Sequence, residues 1–581
     1  MGKLDRYKKL DYTLPASSLA WRIYGKGMEH FGNQKKPDLL DLPDPGEDEI
    51  LVRSDAVGLC FSDTKIIKFG SDHPRIQGRD LKSAPVIPGH EVHLTVVKVG
   101  KNRRTEYRPG ERYIIQADVV YKGTRPSYGY VLPGGLSQYG IIGKEVLDGD
   151  GGSYLIPVRN QELGYSEVAL IEPWGCVVAA YRIEHRKGIK DGGTLLAVGN
   201  GGDQKPWEFT GLFSDAVPGS AVLMNLGPAA EKQVTRLLEG AGTRVIRDSG
   251  DIRSLKELHT GGKGYDDIIL LGDLDDQTVE SAADSLAPRG VLNYMASTGR
   301  KQTVAIDAGK IHYDVIGFIG SLGADVRAPY LEHEDYTIRG DSVLMIGAGG
   351  PMGQMHVQLA MTQPDPPSTM VVTDISEERT RTLREKFEPV ARDKGIGYHI
   401  LNPNGAGSPE EFRRKVLQLN GGKPFSYVVC LAAIPAVIEE AASYLADGAV
   451  LNIFAGVSKG TIVNLDIKDV AARSVRLIGS SGSSLEDMAF TLQKVERGEL
   501  DTDNSVAGIA GMNDVWRGID AVRTGSFPGK IVVYPHIREL DLVSLKELEE
   551  NMPSVARHLA GSGKWTREAE AALLEEMLDI D

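Results

Sequence analysis

The sequence predicts an α/β protein: a β-rich N-terminal module, two tandem doubly wound domains built on parallel sheets, and a helical C-terminal tail. Three observations carry this. Short glycine-broken strands dominate from about Glu49. After Gly164 strands and helices alternate. That alternation is written twice, since VESAADSLAPRGVLNYMA aligns with IEEAASYLADGAVLNIFA, and Asn293 and Asn452 lie 159 residues apart. Alternating strands and helices with β-branched strand residues imply parallel sheets covered by helices. The repeat period is too long for a solenoid.

Each element follows in order. Residues 1–36 are mildly basic and read as irregular. ILVRSDAVGLC, VHLTVVKVG, ERYIIQAD and SQYGIIG are strands with turn signals at short intervals. SEVALIEPWGCVVAAYRIEH is an apolar helical stretch. In the first copy SAVLMNLG, AAEKQVTRLLEGAG and TRVIRD read strand, helix, strand, followed by YDDIILL, a helix over TVESAADSL, and GVLNYMA. The second copy runs from SVLMIGAGGPMG through TMVVTD, FSYVVCL and AVIEEAASYL to AVLNIFAG. With SAVLMNLG aligned to SVLMIGAGG, the first copy reads as short of one helix and one strand between Asp248 and YDDIILL. The tail from Leu540 reads as a pair of solvated surface helices. The expected domains are 1–188, completed by about 503–540; 189–338; 339–502; and a tail over 541–581.

The 581 residues allow about four domains at ~150 residues each. With 66 basic and 80 acidic residues the net charge is −14, which argues against a nucleic-acid partner. Three cysteines exclude a disulfide framework and favour a reducing compartment. No apolar run reaches the ~18 residues of a membrane span, and MGKLDRYKKLDYTLP lacks a signal-peptide core. A cytoplasmic enzyme with a small-molecule substrate is therefore expected.

Two constellations carry chemistry. The first is Cys60 in GLCFSD, His90 and Glu91 in GHE, and Glu172 in IEP. Thiolate, imidazole and carboxylate are donors suited to a catalytic zinc with one open place. His90 and Glu91 are neighbours ahead of a strand, where adjacent side chains point to opposite faces. His90 is therefore assigned as a ligand, with Glu91 as its supporting partner or an exchanging ligand. Cys176, one turn beyond Glu172, is read as core. Ala117–Gly135 contains no cysteine, so no structural zinc is expected.

The second constellation is a glycine loop between strand and helix: Gly347, Gly349, Gly350, Pro351, Met352 and Gly353. A helix N-terminus opened by glycines accepts a pyrophosphate. Asp374, at the end of the following strand, suits ribose hydroxyls and repels a 2′-phosphate, favouring NAD(H) over NADP(H). It also stands where a helix N-cap is expected. The first copy retains only Gly227 at the aligned position, and Gly199-Asn200-Gly201-Gly202 is not followed by a helical pattern. The first copy is read as degenerate and non-binding.

GLCFSD, GHE, IEP, the glycine loop and GSFPGKIVVYP together resemble the zinc-dependent medium-chain dehydrogenase/reductase family, over residues ~35–190 and ~340–537. The closest look is to polyol dehydrogenases and sugar-phosphate reductases. The resemblance implies a GroES-like catalytic domain and a Rossmann-like nucleotide domain, with 190–335 inserted. It places a catalytic zinc on Cys60, His90 and Glu172 and a proton relay at Ser62. Lys65 stands where many relatives carry a relay histidine, and serves either the relay or an anionic substrate group. Backbone near Phe454, Gly456, Gly479 and Ser480 would meet the nicotinamide. A homo-oligomer, dimer or tetramer, is expected. The alternatives are a catalytically silent NAD-binding scaffold or sensor, and a zinc-free reductase of the same superfamily. Arg75, Arg79, Lys82, Arg103 and Arg104 read as scattered surface bases, with a phosphate contact as the sharper alternative.

Overall fold

The computed structural model describes every residue except 1, 77, 333–335, 339–341, 562 and 581. The expected boundary at 338/339 falls partly outside the described residues. The chain forms two compact units: 1–178, 350–355 and 482–581 in the first, and 179–349 with 356–481 in the second.

The first unit is built on an eight-stranded sheet. Its centre is the antiparallel pair Ile50–Gly58 and Glu91–Val99, with Gly58 opposite Glu91. Lys530–Tyr534 pairs with the free side of Ile50–Gly58, and Val506–Gly511 runs parallel to Lys530–Tyr534. Nearly every residue of the two central strands is buried, as expected when one sheet face meets an apolar core and the other is covered by helices.

The cover on one side comes from both termini. Residues 1–36, read as irregular, contain a helix Lys3–Lys8 and a strand Ser17–Ala20. The tail is also not a solvated helix pair. Residues 543–551 form a two-residue strand, Val543–Ser544, and a short helix, Leu548–Asn551. The helix Arg567–Met577 buries Leu573 and Leu574. Its Glu570 accepts hydrogen bonds from the backbone N–H groups of Tyr165 (2.6 Å) and Ser166 (2.7 Å). It thereby satisfies the first turn of the helix Tyr165–Ala169, whose donors have no intrahelical partner. Acidic composition concealed this, because the buried carboxylate looks like any surface glutamate in the sequence.

The second unit holds two six-stranded parallel sheets of equivalent order. One runs Arg244–Arg247, Ser220–Met224, Thr194–Gly199, Tyr265–Leu271, Leu286–Met295, Gly317–Ser321. The other runs Gly397–Leu401, Thr369–Thr373, Ser342–Ile346, Phe425–Cys430, Leu445–Ile453, Arg476–Ile478. The topology corrects the alignment of the copies. SAVLMNLG is the second strand of its sheet; the first is Thr194–Gly199. The missing element is the helix after that first strand, since no helix lies between Gly199 and Ser220. Gly199-Asn200-Gly201-Gly202, set aside in the sequence, therefore occupies the position of the glycine loop, and Gly227 does not. Two apolar strands of similar texture were interchangeable until hydrogen-bond order separated them.

Asp503 gives a pH-dependent prediction. It is buried against Glu570 and Glu167 and accepts from the Ser166 hydroxyl at 2.8 Å. Burial, with the charges of Glu570 and Glu167, raises its carboxyl well above the usual range. A raised folded-state value makes ionisation costly in the fold, so the penalty is absent below the unfolded value of about 3.9 and grows as pH rises above it. Asp503→Asn should therefore stabilise the protein at pH 8, by on the order of 1 kcal/mol, and give no gain at pH 4. Thermal unfolding midpoints at the two pH values check this.

Candidate active site

The central strand pair brings the first constellation together. Cys60 leaves the strand Ile50–Gly58 as the N-cap of the helix Phe61–Phe69. Its sulfur accepts from the Ser62 N–H at 3.4 Å, and its own N–H donates to Asp63 at 3.0 Å. This reciprocal cap fixes the thiol at the helix start. Asp63 also accepts from the Gly89 N–H at 3.2 Å, and its Oδ1 lies 3.5 Å from His90 Nδ1. One buried carboxylate thus steadies both the cysteine and the histidine turns.

Gly89 sits at φ +96°, and an added Cβ would lie 2.8 Å from the backbone nitrogen of Leu136. Only glycine permits this bend. The strand begins at Glu91, so His90 belongs to the bend and not to the pleat. The alternation that separates neighbouring side chains in a strand therefore does not apply across this pair. Cys60, His90 and Glu91 each offer a donor atom within 4.8 Å of the others. Gly58, opposite Glu91, leaves space that a Cβ would take from Glu91 Oε2.

Glu172 lies outside that 4.8 Å group, on the helix Ile171–Ala179. Its charge neighbours are nonetheless the same residues. Burial pushes its carboxyl up to about 7; Glu91 and Asp118 add to this, while His90 and Lys530 oppose it. Glu91 is ion-paired with buried Lys530. Burial works against the Lys530 ammonium, but Glu91 and Cys60 outweigh it and raise the group overall. Lys530 lies in the KIVVY strand and was not singled out in the sequence; a lysine in an apolar strand was its signal. Burial likewise disfavours the His90 imidazolium, yet the Cys60 sulfur, Tyr130 and Asp63 carry it well above its ordinary value. A cysteine sulfur and an imidazole nitrogen are donors that bind a metal cation with release of their protons. Glu91 Oε2 is buried without a hydrogen-bond partner. The donor set therefore fits a zinc-type ion.

Beside the group, Ser62 and Lys65 are half-buried on the first turns of the helix. Arg75 pairs with Asp118 at 2.6 Å and stacks over Tyr130, whose ring lies 5.8 Å from that of His90. His73 lies 5.6 Å from the same tyrosine, and burial together with Arg75 and Lys65 lowers its pKa. Of the other bases, Arg79 is spent on the carbonyls of Ala84, Pro85 and Val131, and Arg103 on Asp148 and Glu106. Burial, with Glu172 adding, drives the Cys176 thiol well up.

In the second unit Gly347 has φ +79°. The Gly349 N–H donates to Asp374 Oδ2 at 2.9 Å, and the Ser376 N–H to Oδ1 at 3.0 Å. The helix cap is Ser376, which accepts from the Arg379 N–H at 3.3 Å, so Asp374 is not the N-cap. A cavity of about 260 Å³ opens here, lined by Gly347, Asp374, Ile375, Arg379 and Phe412 among others. Gly350, Pro351, Met352 and Gly353 group with the first unit, where Pro351 starts the helix Pro351–Thr362. Further along the second unit, the Phe454 ring packs at 4.3 Å on His356. A Cβ on Gly479 would lie 2.9 Å from the Ile453 carbonyl oxygen, and the buried Ser480 hydroxyl has no hydrogen-bond partner. Nearest to Gly456 is the Tyr313 hydroxyl, 3.8 Å from where its Cβ would be.

Comparison with known proteins agrees with this architecture. Residues 46–147 match the alcohol dehydrogenase GroES-like domain. The chain is 28% identical to L-sorbose 1-phosphate reductase of Klebsiella pneumoniae over 339 residues, 54% of this chain and 78% of that protein. It is 26% identical to mannitol-1-phosphate 5-dehydrogenase of Aliivibrio fischeri over 349 residues, covering 55% and 79%. Its fold resembles that of an alcohol dehydrogenase from Thermotoga maritima, with a TM-score of 0.51 at 13% identity, over 90% of this chain and all of that one. Over about half its length the chain is thus similar to oxidoreductases of sugar and polyol phosphates. Its GroES-like domain and these relatives are of the alcohol and polyol dehydrogenase type. Among the described residues no helix is long and apolar enough to cross a membrane.

The bend at Gly89 gives a structural prediction. Gly89→Ala should cost about 1–3 kcal/mol, because the side chain meets backbone at a positive φ. Denaturant unfolding of the variant against the parent measures it.

Proposed function

We propose that the protein transfers hydride between NAD(H) and a secondary alcohol or ketone, the substrate being a polyol, a sugar or a sugar phosphate. The observation that carries this reading is the grouping of half-buried Cys60 with buried His90 and Glu91 on a GroES-like domain. A single zinc ion would be held by Cys60, His90 and Glu172, with Glu91 as the alternate carboxylate. Glu91 already has a counter-charge in Lys530, whereas burial holds Glu172 at the edge of ionisation, where a cation would stabilise its carboxylate. Bound there, zinc supplies a Lewis acid that acidifies a coordinated hydroxyl or polarises a carbonyl.

The chain's own residues do the rest. Asp63 holds the imidazole and the cysteine turn in place. Ser62 takes up the hydroxyl proton and passes it outward, with Lys65 as the next group on its helix. Gly347 and Gly349 let backbone approach the cofactor's pyrophosphate, with Gly350, Pro351, Met352 and Gly353 opening the helix that faces it. Asp374 receives the adenosine ribose hydroxyls, while Phe454, Gly456, Gly479 and Ser480 bound the nicotinamide. Lys65 and Arg75 supply positive charge for a phosphate on the substrate. The two named relatives, which act on phosphorylated sugars or polyols by their names, favour that class.

The test is direct. Purified protein loaded with zinc should reduce NAD with polyols or polyol phosphates, lose activity with a chelator and regain it with zinc. Metal analysis should give one zinc per chain, and Cys60→Ala, His90→Ala and Glu172→Gln should each lower zinc affinity by about tenfold or more. Glu91→Gln should have the smaller effect; the reverse order would exchange the roles of the two carboxylates. Full activity in metal-free protein would remove the reading. Asp374→Ala should lower the NAD-over-NADP ratio of kcat/KM by about tenfold or more, as expected when a buried carboxylate partner is lost. An unchanged ratio removes that assignment.

A further inference from the structure

The two copies in the second unit meet through a contact with the symmetry of a subunit interface. Thr303–Asp307 pairs antiparallel with Ile462–Asp466, with Thr303 opposite Asp466, Ala305 opposite Asn464 and Asp307 opposite Ile462. At the 159-residue spacing of the copies, Thr303 corresponds to Ile462, Ala305 to Asn464 and Asp307 to Asp466. Each strand therefore pairs with its own counterpart about a local two-fold axis between Ala305 and Asn464.

The surrounding bonds repeat across that axis. The Ala308 N–H donates to the Thr461 carbonyl at 2.9 Å, and its counterpart Ile467 donates to Gln302, the counterpart of Thr461, at 3.1 Å. The Ala305 N–H donates to Glu280 at 2.9 Å, and the Asn464 N–H to Glu439 at 2.7 Å, where Glu439 is the counterpart of Glu280. Packing is also exchanged. The helix Ala308–Asp314 of the first copy lies on the strands Leu445–Ile453 and Arg476–Ile478 of the second, and the helix Asp469–Ala472 of the second lies on Gly317–Ser321 of the first. His312 Nδ1 comes within 3.3 Å of the Ile453 carbonyl, and the Lys468 ammonium reaches Asp273 of the first copy at 2.8 Å. A single buried apolar cluster runs through both sheets, including Val304, Ile306, Val463 and Leu465. Contacts in which i meets j and j meets i are the mark of an isologous two-fold interface, which normally joins two identical chains.

Where the glycine loop and helix stand in the second copy, the first copy places Asp203 and Lys205. Asp203 accepts from Lys205 N–H at 2.9 Å and from the Ser297 hydroxyl at 2.9 Å, and the Lys205 ammonium donates to the carbonyls of Ala296 (3.2 Å) and Leu322 (2.7 Å).

We propose that residues 189–338 are a built-in partner subunit: the first copy occupies, within one chain, the face through which a two-fold pair of the second copy would form, so that face recruits no second chain. This inference rests on register and packing and is independent of the zinc and cofactor reading. The central pair offers a test. The Ala305 and Asn464 N–H groups point away from the facing strand, which makes them a close, non-hydrogen-bonded pair with Cα atoms about 4.5 Å apart, within disulfide reach. Both lie on the accessible side of the ribbon.

The experiment uses the full chain with Ala305→Cys and Asn464→Cys together, and each alone. All are oxidised with copper phenanthroline beside the parent protein, which carries Cys60, Cys176 and Cys430. The double variant should close an intrachain disulfide, run as a monomer on non-reducing gels and lose two hydrogens by mass. After digestion, the peptides that carry positions 305 and 464 should be recovered joined to each other. Neither single variant should form more linked dimer than the parent. A disulfide-linked dimer through these positions, in the double variant or in either single variant alone, overturns the proposal, as does a double variant whose two new thiols remain free.

Discussion

The register that sets Gly58 opposite Glu91 is the constraint on which the candidate active site depends. It is one pairing in an antiparallel ladder, but it ends both central strands at the same edge of the sheet. Beyond that edge one strand turns into the helix capped by Cys60, and the other begins directly after the bend at His90. Two glycines keep the arrangement open, Gly58 by lacking a Cβ beside Glu91 and Gly89 by its positive φ. A slip of one residue would turn every side chain to the opposite face and separate the thiol from the imidazole.

Burial then gives these groups their chemistry. Within the low-polarity interior each charge must be answered by another. Lys530 answers Glu91, Asp63 supports His90, and Glu172 is left poised near neutrality. The same rule operates at the far side of the first unit, where the tail delivers Glu570 to a helix start. There the buried carboxylate serves stability, since it meets backbone donors and a tyrosine hydroxyl.

In the second unit duplication has produced two outcomes from one architecture. Both sheets have equivalent strand order. One keeps the glycine loop, with Asp374 clasping its backbone. The other has replaced loop and helix with a segment that closes on itself through Asp203 and Lys205. That copy is held by the reciprocal strand pair and by the apolar cluster common to both sheets. The sequence suggested a homo-oligomer; the structure finds a two-fold contact already made within the chain.

The sequence alone determined the α/β class, the duplication, and the residue types of both constellations, because strand and helix periodicity, glycine clusters and ligand chemistry are local properties. Tertiary structure alone decided which strand of the first copy comes first, that His90 and Glu91 reach the same space, that Lys530 and Asp63 support them, and that the tail buries Glu570 at a helix start. Each of these depends on hydrogen-bond order or on partners hundreds of residues away, such as Lys530 for Glu91 and Glu570 for Ser166. A local pattern shows which side a residue presents; only the folded register shows what it faces.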